Sequence, residues 1–312
     1  MSEKDNQHFV QRAYLKRFAV DERPGEHSGE LWVYDKKDQA ISDSAKSIRD
    51  ICSKKHYYAA YGEDGEIDPY VIEDELGKKV EDQFIRVLDS IRPSQDQVVL
   101  DLSLREQRVL AGYIGMQYAR VPMFRRGVER VMENVFLTMP REAVNRMMEK
   151  QPEEVKEFFE RGGEVNVRSE SPSTISVMKS DAKFMADSLL MKQWRFMVPH
   201  VDIPLIISDN PVVTARLTEE GLVFGSSVPT DYQTLVFMPL RKDLAVVIAP
   251  CEFFETRVAD HWKDNLRVQY MNRANSKESN RYTAYNAMRY VYNGTKDKRL
   301  GKMVFKFKPR KP

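Results

Sequence analysis

The run TLVFMPLRKDLAVVIAP at residues 234–250 decides the fold class of this 312-residue chain. Residues 234–238 and 244–249 are short β-branched or aromatic runs between turn residues, which is the pattern of strands. Residues 203–207 show the same pattern. Charged residues at 241–243 interrupt the apolar stretch, so it stays far below the ~20 residues of a membrane span. The sequence therefore predicts a sheet in the last third of a soluble protein.

Upstream of these strands, apolar residues recur with helical spacing and predict helices over 69–91, 103–118 and 122–150. Ser103, followed three residues later by Glu106, has the spacing of a capping box at the start of the second helix. The same patterns predict further elements, namely helices over 6–19, 174–198 and 277–292 and strands over 30–35 and 303–307.

The predicted fold class is α+β. We expect a helical layer from the middle of the chain to pack on a mixed or antiparallel sheet built from the N-terminal and C-terminal thirds. The length of 312 residues allows one large domain or two coupled domains. The polar stretch at 163–173 (GEVNVRSESPS) is the best internal sub-boundary.

Composition excludes several classes of protein. The 42% apolar content, with aromatic residues along the whole length, is enough for a core and excludes a disordered chain. The 49 basic and 47 acidic residues nearly cancel, which argues against a DNA-coating protein but allows a local basic groove. Two distant cysteines, Cys52 and Cys251, and a polar N-terminus without an apolar signal segment favour the cytoplasm and free thiols.

The standard catalytic and cofactor motifs do not occur in the sequence. The chain lacks GxxxxGK[ST], GxGxxG, HExxH, GxSxG and paired CxxC motifs, and it has no nucleotide or haem motif. Nucleoside triphosphatases, dinucleotide-binding dehydrogenases, zinc proteases of the HExxH type and α/β-hydrolases therefore lose their usual support. The cofactor stays unknown, with Mg²⁺ as the candidate metal.

Three polar elements in apolar surroundings are the candidate site. The elements are Gln7 and His8 ahead of Tyr14 and Arg17, then Gln117 and Arg120 between two helices, and Ser208-Asp209-Asn210-Pro211 after a strand. Polar side chains at the end of a buried strand commonly point into a ligand-binding crevice. Each element also has a structural explanation, since Asx-Pro turns are ordinary turn chemistry and an Arg at a helix end interacts with the helix dipole.

Taken together, these elements resemble the bacterial domain-of-unknown-function family 4238. The similar stretches are HFVQRAYLKRF at 8–18, a helix with Glu81, QYARVP at 117–122 and ISDNPV at 207–212. Gln11 stands where the family usually has proline. The resemblance spans nearly the whole chain and implies a single integrated domain over residues 1–312, but no established reaction or cofactor.

A hydrolase is the first functional hypothesis, and it requires five candidate catalytic residues to converge: His8, Glu81, Arg120, Asp209 and Asn210. His8 would transfer a proton, Arg120 would hold an anionic ester and Asn210 would donate a hydrogen bond to developing charge. Asp209 and Glu81 would orient the imidazole or bind Mg²⁺. The candidate binding residues are Gln7, Tyr14, Arg17 and Gln117. The expected substrate is a phosphodiester or another anionic ester. In its sharpest form the protein is a nuclease-like toxin or phage-defence effector whose partner is nucleic acid or a nucleotide.

The alternative hypothesis is a non-enzymatic binding module for protein or nucleic acid. In it, the same polar residues form a buried hydrogen-bonded network that ties the N-terminal segment to the sheet. Groups that converge without partners around a pocket would favour the enzyme, and a fully hydrogen-bonded network would favour the module. The sequence leaves the substrate, the reaction, the metal and the oligomeric state open.

Overall fold

The computed structural model of the protein describes residues 6–19, 29–55, 57–58, 60–61, 67–68, 78–93, 99–149, 153, 156–157, 161, 172–225, 228–250, 253 and 266–310. The helices are α1 (Arg12–Leu15), α2 (Lys78–Ser90), α3 (Leu104–Arg120), α4 (Pro122–Thr138), α5 (Arg141–Met148), α6 (Pro172–Leu190), α7 (Arg273–Asn286) and α8 (Lys298–Val304). The strands before α2 are β1 (Asn6–His8), β2 (Glu30–Asp35), β3 (Ala40–Ile41), β4 (Lys46–Ser47), β5 (Ser53–Lys55), β6 (Ala60–Tyr61) and β7 (Ile67–Asp68). The later strands are β8 (Gln193–Val198), β9 (Ile207–Ser208), β10 (Val213–Thr218), β11 (Gly221–Phe224), β12 (Thr234–Arg241), β13 (Leu244–Ala249), β14 (Leu266–Tyr270) and β15 (Tyr290–Asn293).

The strands form a large and a small sheet, and α+β is confirmed as the fold class. The large sheet has the order β11-β10-β12-β13-β8-β14, and its neighbours are antiparallel except for the parallel pair β8 and β14. The small sheet, β3-β2-β15-β9, pairs the first and last parts of the chain, with β4 also on β2. A separate two-stranded ribbon pairs β1 with β5, so that His8 lies opposite Ser53.

Helix α3 is the centre of the helical layer and packs against α2, α4 and α6. Its predicted capping box is present: Ser103 Oγ accepts from the Glu106 backbone N–H at 3.3 Å, and Glu106 Oε2 accepts from the Ser103 N–H at 2.8 Å. Gly115 allows α3 and α6 to approach closely, because a Cβ there would lie 2.5 Å from the carbonyl oxygen of Ala182.

The N-terminal prediction of one helix over 6–19 is wrong. Residues 6–8 form β1, α1 follows, and a 3₁₀ turn covers Lys16–Phe18. Asn6 pairs with Lys55 in the ribbon. Backbone pairing with β5 overrides the weak helical spacing of this segment.

Other predicted helices end earlier and give way to strands. Helix α6 ends at Leu190, and 193–198 form β8 because Trp194 and Phe196 are buried in the large sheet. Helix α7 ends at Asn286, and 290–293 form β15. The strand predicted over 303–307 does not form: residues 303 and 304 end α8, whose N-terminal N–H groups are capped by Asp297, and residues 305–307 form a turn. Aromatic and β-branched residues fit both periods, so tertiary pairing decides between them.

The remaining predictions differ in their bounds. Of residues 203–207 only Ile207 is in a strand, and this strand belongs to the small sheet rather than to that of β12 and β13. The helix predicted over 122–150 is divided into α4 and α5 at Pro140, since a proline disfavours helical geometry before it. The first part of the predicted helix 69–91, and residues 163–171 of the sub-boundary, lie outside the described residues.

No described helix is both long enough and apolar enough to cross a membrane. Cys52 is a free, buried thiol, as predicted. Cys251 lies outside the described residues.

Candidate functional site

A half-buried ion pair joins Glu81, in the first turn of α2, to Arg120, the last residue of α3. Arg120 Nη1 lies 2.7 Å from Glu81 Oε1, and Arg120 Nε donates to the Tyr58 hydroxyl at 2.9 Å. Gln11 Nε2 donates to the other carboxylate oxygen, Oε2, at 2.8 Å. Both oxygens of the carboxylate are therefore hydrogen-bonded, as an ion pair withdrawn from water requires.

His8 lies on β1, within the electrostatic range of this pair. Its Nε2 is 3.1 Å from the carbonyl oxygen of Ile48, which assigns the proton to Nε2 and the lone pair to Nδ1. Burial, followed by the positive charges of Arg12 and Arg120, lowers the pKa of His8 to about 4. The imidazole is consequently neutral at pH 7.

Tyr58 connects Gln7 and His8 to Arg120 of the ion pair. Gln7 Oε1 accepts from the Tyr58 backbone N–H at 2.5 Å, and the Tyr58 hydroxyl donates to the His8 carbonyl oxygen at 3.2 Å. Gln117 Nε2 donates to the Phe9 carbonyl oxygen at 2.8 Å. We call this set the amino-terminal network; it comprises Gln7, His8, Gln11, Tyr58, Glu81, Gln117 and Arg120.

Tyr14 and Arg17, predicted as binding residues, have other partners. The Tyr14 hydroxyl donates to the Pro239 carbonyl oxygen, and burial raises the pKa of this phenol. Arg17 Nη2 lies 2.7 Å from an Asp89 carboxylate oxygen near the end of α2. These contacts attach the first helical turns to the large sheet and to α2.

Asp209 and Asn210 fasten the chain reversal between α7 and β15. Asp209 Oδ1 accepts from the Met288 N–H at 2.8 Å, and Oδ2 accepts from the backbone N–H groups of residues 289 and 290, each at 2.9 Å. Asn210 Nδ2 donates to the Asn286 carbonyl oxygen at 3.1 Å, and Asn286 Nδ2 donates back to the Asn210 carbonyl oxygen at 2.8 Å. Burial raises the pKa of Asp209, and its three N–H partners oppose that shift.

Lys36 completes this arrangement from the other side of the reversal. Its Nζ donates to the carbonyl oxygens of Ala284 at 2.9 Å and Ala287 at 2.7 Å, where α7 ends. Burial lowers the pKa of Lys36 to about 8, and the charge of Asp209 acts in the opposite direction. Lys36 thus hydrogen-bonds the carbonyl groups, and Asp209 the N–H groups, of the turn between α7 and β15. We call Lys36, Asp209, Asn210 and Asn286 the carboxy-terminal clamp.

The five predicted catalytic residues do not form one hydrogen-bonded set. The structure brings His8, Glu81 and Arg120 together, and it places Asp209 and Asn210 in the clamp. Within the described residues, no hydrogen bond or ion pair joins Asp209 to His8 or Arg120. The predicted Mg²⁺ ligands, Asp209 and Glu81, are thus committed to separate partners, and the described residues contain no group of three His, Cys, Asp or Glu that could hold a metal ion.

Cys52 lies between the two clusters. Its carbonyl oxygen accepts from the Phe9 N–H at 2.9 Å, and its thiol donates to the Tyr292 hydroxyl at 3.3 Å. Burial raises the pKa of the thiol, and the charge of Asp209 raises it further. The network and the clamp are therefore neighbours across Cys52 but use different hydrogen-bond partners.

Positive charges are concentrated around the β1–β5 ribbon. Lys54 pairs with Gln7 across the ribbon, and its ammonium group lies 5.9 Å from the Tyr57 ring centroid. The Arg125 guanidinium lies 4.2 Å from the same centroid. Burial, then Arg126 and Arg125, lower the pKa of Lys54. We call this surface the basic face; it comprises Arg12, Arg49, Lys54, Lys55 and Arg126, with the buried Arg125 beneath it.

Sequence reasoning did not select Tyr58, Gln11 or Arg125. Tyr58 belongs to the conspicuous run His56-Tyr57-Tyr58, which could have drawn attention to it. Gln11 appears in the sequence only as a departure from the family's usual proline, and the structure gives its amide a defined role on Glu81. A proline at this position would remove that hydrogen bond.

Comparison with known proteins gives one match. A family model described as a protein of unknown function, DUF4238, matches residues 6–297. The chain belongs to this family. No curated protein and no solved structure matches it. The matched range confirms the resemblance and includes the network, the clamp and the basic face of this DUF4238 protein.

Proposed function

We propose that this DUF4238 protein is a binding module for a phosphate-bearing polyanion, nucleic acid in the first instance, and that the basic face is its contact surface. The observation that carries the proposal is the crowding of Lys54, Arg125 and Arg126. The Lys54 and Arg125 cations lie over the same Tyr57 ring, and the pKa of Lys54 is lowered by burial first and then by Arg126 and Arg125. Like charges held together are stabilised by a bound polyanion, whose phosphates neutralise them and release counterions. The net charge of only +2 means that this crowding is local.

The hydrogen bonding behind the basic face supports a module over an enzyme. Both carboxylate oxygens of Glu81 have partners, and those of Asp209 accept three backbone N–H groups. The His8 pKa of about 4 lies well below the near-neutral value that suits proton transfer at pH 7. In this proposal the amino-terminal network is the frame that fixes the ribbon on α2 and α3.

The second candidate is a hydrolase that acts on a phosphodiester at the same face, as a nuclease-like toxin or phage-defence effector. One observation favours it: His8 is neutral at pH 7 and has a lone pair on Nδ1 close to Arg120. An anion bound beside His8 would raise its pKa toward the usual 6.5 and make proton transfer more effective. We assign either activity to the cytoplasm, a reducing compartment in which free thiols such as Cys52 persist.

Fluorescence anisotropy with labelled single-stranded RNA and DNA tests the binding proposal. The double variant Lys54→Glu/Arg126→Glu reverses two exposed charges of the basic face. We expect it to bind at least about tenfold more weakly and to flatten the dependence of affinity on salt between about 50 and 200 mM. The matched control, Lys37→Glu/Lys277→Glu, changes the net charge equally at exposed sites on β2–β3 and α7. An equal loss in both variants, or no binding by the unmodified protein, would contradict the proposal.

Incubation of the same oligonucleotides with and without Mg²⁺ tests the second candidate. A hydrolase cleaves them, and His8→Gln abolishes cleavage while the affinity is retained, because glutamine keeps a donor for the Ile48 carbonyl oxygen but cannot accept a proton. The binding module leaves the oligonucleotides intact under every condition.

A further inference from the structure

Three buried polar atoms beside the Glu81–Arg120 ion pair have no hydrogen-bond partner within the described part of the protein. They are Gln11 Oε1, Tyr113 Oη and Gln117 Oε1. Tyr113 and Gln117 are fully buried, and Gln11 is 9% exposed. Since buried polar groups nearly always have a partner, three such atoms at one place indicate a ligand.

Each of the three residues is associated with the Glu81–Arg120 ion pair. Tyr113 and Gln117 are one turn apart on α3, and Arg120 follows on the same face of the helix. Gln11 donates to the carboxylate that Arg120 binds. The charges of Glu81 and Arg120 also act on the Tyr113 phenol, raising and lowering its pKa respectively, although burial raises it most. Gln11 is therefore hydrogen-bonded to the ion pair, Tyr113 is within its electrostatic range, and Gln117 lies between Tyr113 and Arg120 on one face of α3.

The chemistry of these atoms defines the ligand. The amide NH₂ groups of Gln11 and Gln117 are already used, on Glu81 and on the Phe9 carbonyl oxygen, so both free atoms are carbonyl oxygens that only accept. The ligand must accordingly donate at least two hydrogen bonds. Glu81 and Arg120 neutralise each other, so a charged ligand would be buried without compensation.

We infer that Gln11, Tyr113 and Gln117 form a binding site for a small neutral hydrogen-bond donor, and that its occupant is an ordered water molecule. Buried waters typically have two to four polar partners, which this set supplies. The site stabilises the junction of α2, α3 and the segment after β1. It is independent of polyanion binding at the basic face.

A crystal structure of the full chain, at a resolution that shows ordered water, tests the inference directly. We expect a solvent peak within hydrogen-bond distance of at least two of the three atoms. Continuous protein density without such a peak, or side chains rearranged to bond one another, would overturn it.

Thermal unfolding of Tyr113→Phe gives a second test. Phenylalanine keeps the stacking on Phe84, whose ring centroid is 3.5 Å away, and removes only the hydroxyl. We expect the melting temperature to fall by about 2–4 °C, as expected for the control Tyr14→Phe, whose hydroxyl has a protein partner in the Pro239 carbonyl oxygen. If Tyr113→Phe melts at the same or a higher temperature while Tyr14→Phe melts lower, the hydroxyl has no partner and the inference is wrong.

Discussion

At the scale of the residue, the lowered pKa of His8 gives a testable dependence of stability on pH. Its pKa of about 4 in the folded protein lies below the ordinary 6.5. Between these two values the unfolded chain binds more protons than the folded one. The contribution of His8 to stability is therefore complete above pH 6.5 and is lost as the pH falls toward 4.

This linkage makes a prediction for His8→Gln. The unmodified protein should lose up to about 1.4 kcal/mol of unfolding free energy per pH unit from His8 in that window, and the variant should lack this part. Urea unfolding of both proteins at pH 7 and pH 5 measures it. Because all other groups titrate in both proteins, only the difference between them reports on His8. Equal losses would mean that His8 is not buried neutral.

Residue-level reasoning from the sequence grouped His8, Glu81 and Arg120 correctly and misjudged Asp209. Arg120 at the end of an apolar helix needed an acidic partner, and that requirement does not depend on details of the fold. The partners of Asp209 are backbone N–H groups of residues 288–290. These N–H groups are free to donate to Asp209 only because α7 ends at Asn286. The sequence pattern predicted that the helix continues to residue 292.

At the scale of the element, the crossing of α3 and α6 depends on Gly115. We expect Gly115→Ala to destabilise the protein by about 1–3 kcal/mol, because the new methyl group meets the backbone of Ala182. Gly112→Ala is the matched control on the same helix. Nothing lies within 4 Å of its added Cβ, so it should stabilise by about 0.5–1 kcal/mol through helix propensity. Chemical denaturation measures the change in the free energy of unfolding for each variant. A change of the same sign in both variants would refute this packing of α3 on α6.

The clamp is the second element-scale feature, and Asp209→Asn separates its structural role from a catalytic one. Three backbone N–H groups donate to the two carboxylate oxygens of Asp209, whereas the asparagine amide has only one oxygen that can accept. We therefore expect the free energy of unfolding to fall by about 1–3 kcal/mol and the polyanion affinity to be retained. Asp38→Asn, at an exposed partner of Arg289, should change stability little. Melting curves and anisotropy measure the two effects. A stable Asp209→Asn protein that no longer binds the polyanion would return Asp209 to the functional site.

At the scale of the whole molecule, the α+β class and the joining of both chain ends in one sheet were predictable, since long periodic segments dominate the sequence. The strands at 193–198 and 290–293, where the sequence pattern predicted helix, were not predictable. In both segments aromatic residues satisfy either period, and the partners that decide, β13 and β2, lie far away in the sequence. The basic face was equally hidden, because charges from residues 12 to 126 meet only after folding.

The central claim is that a polyanion binds at the basic face. Because Arg12 of this face acts electrostatically on His8, the most direct test is the ionisation of the His8 ring followed by NMR. Without ligand its pKa should be about 4. With a saturating oligonucleotide we expect the pKa to rise toward 6.5, because bound phosphates favour the charged imidazole. The amides of residues 288–290 in the clamp should not shift. An unchanged His8 pKa in the presence of bound oligonucleotide would contradict the claim.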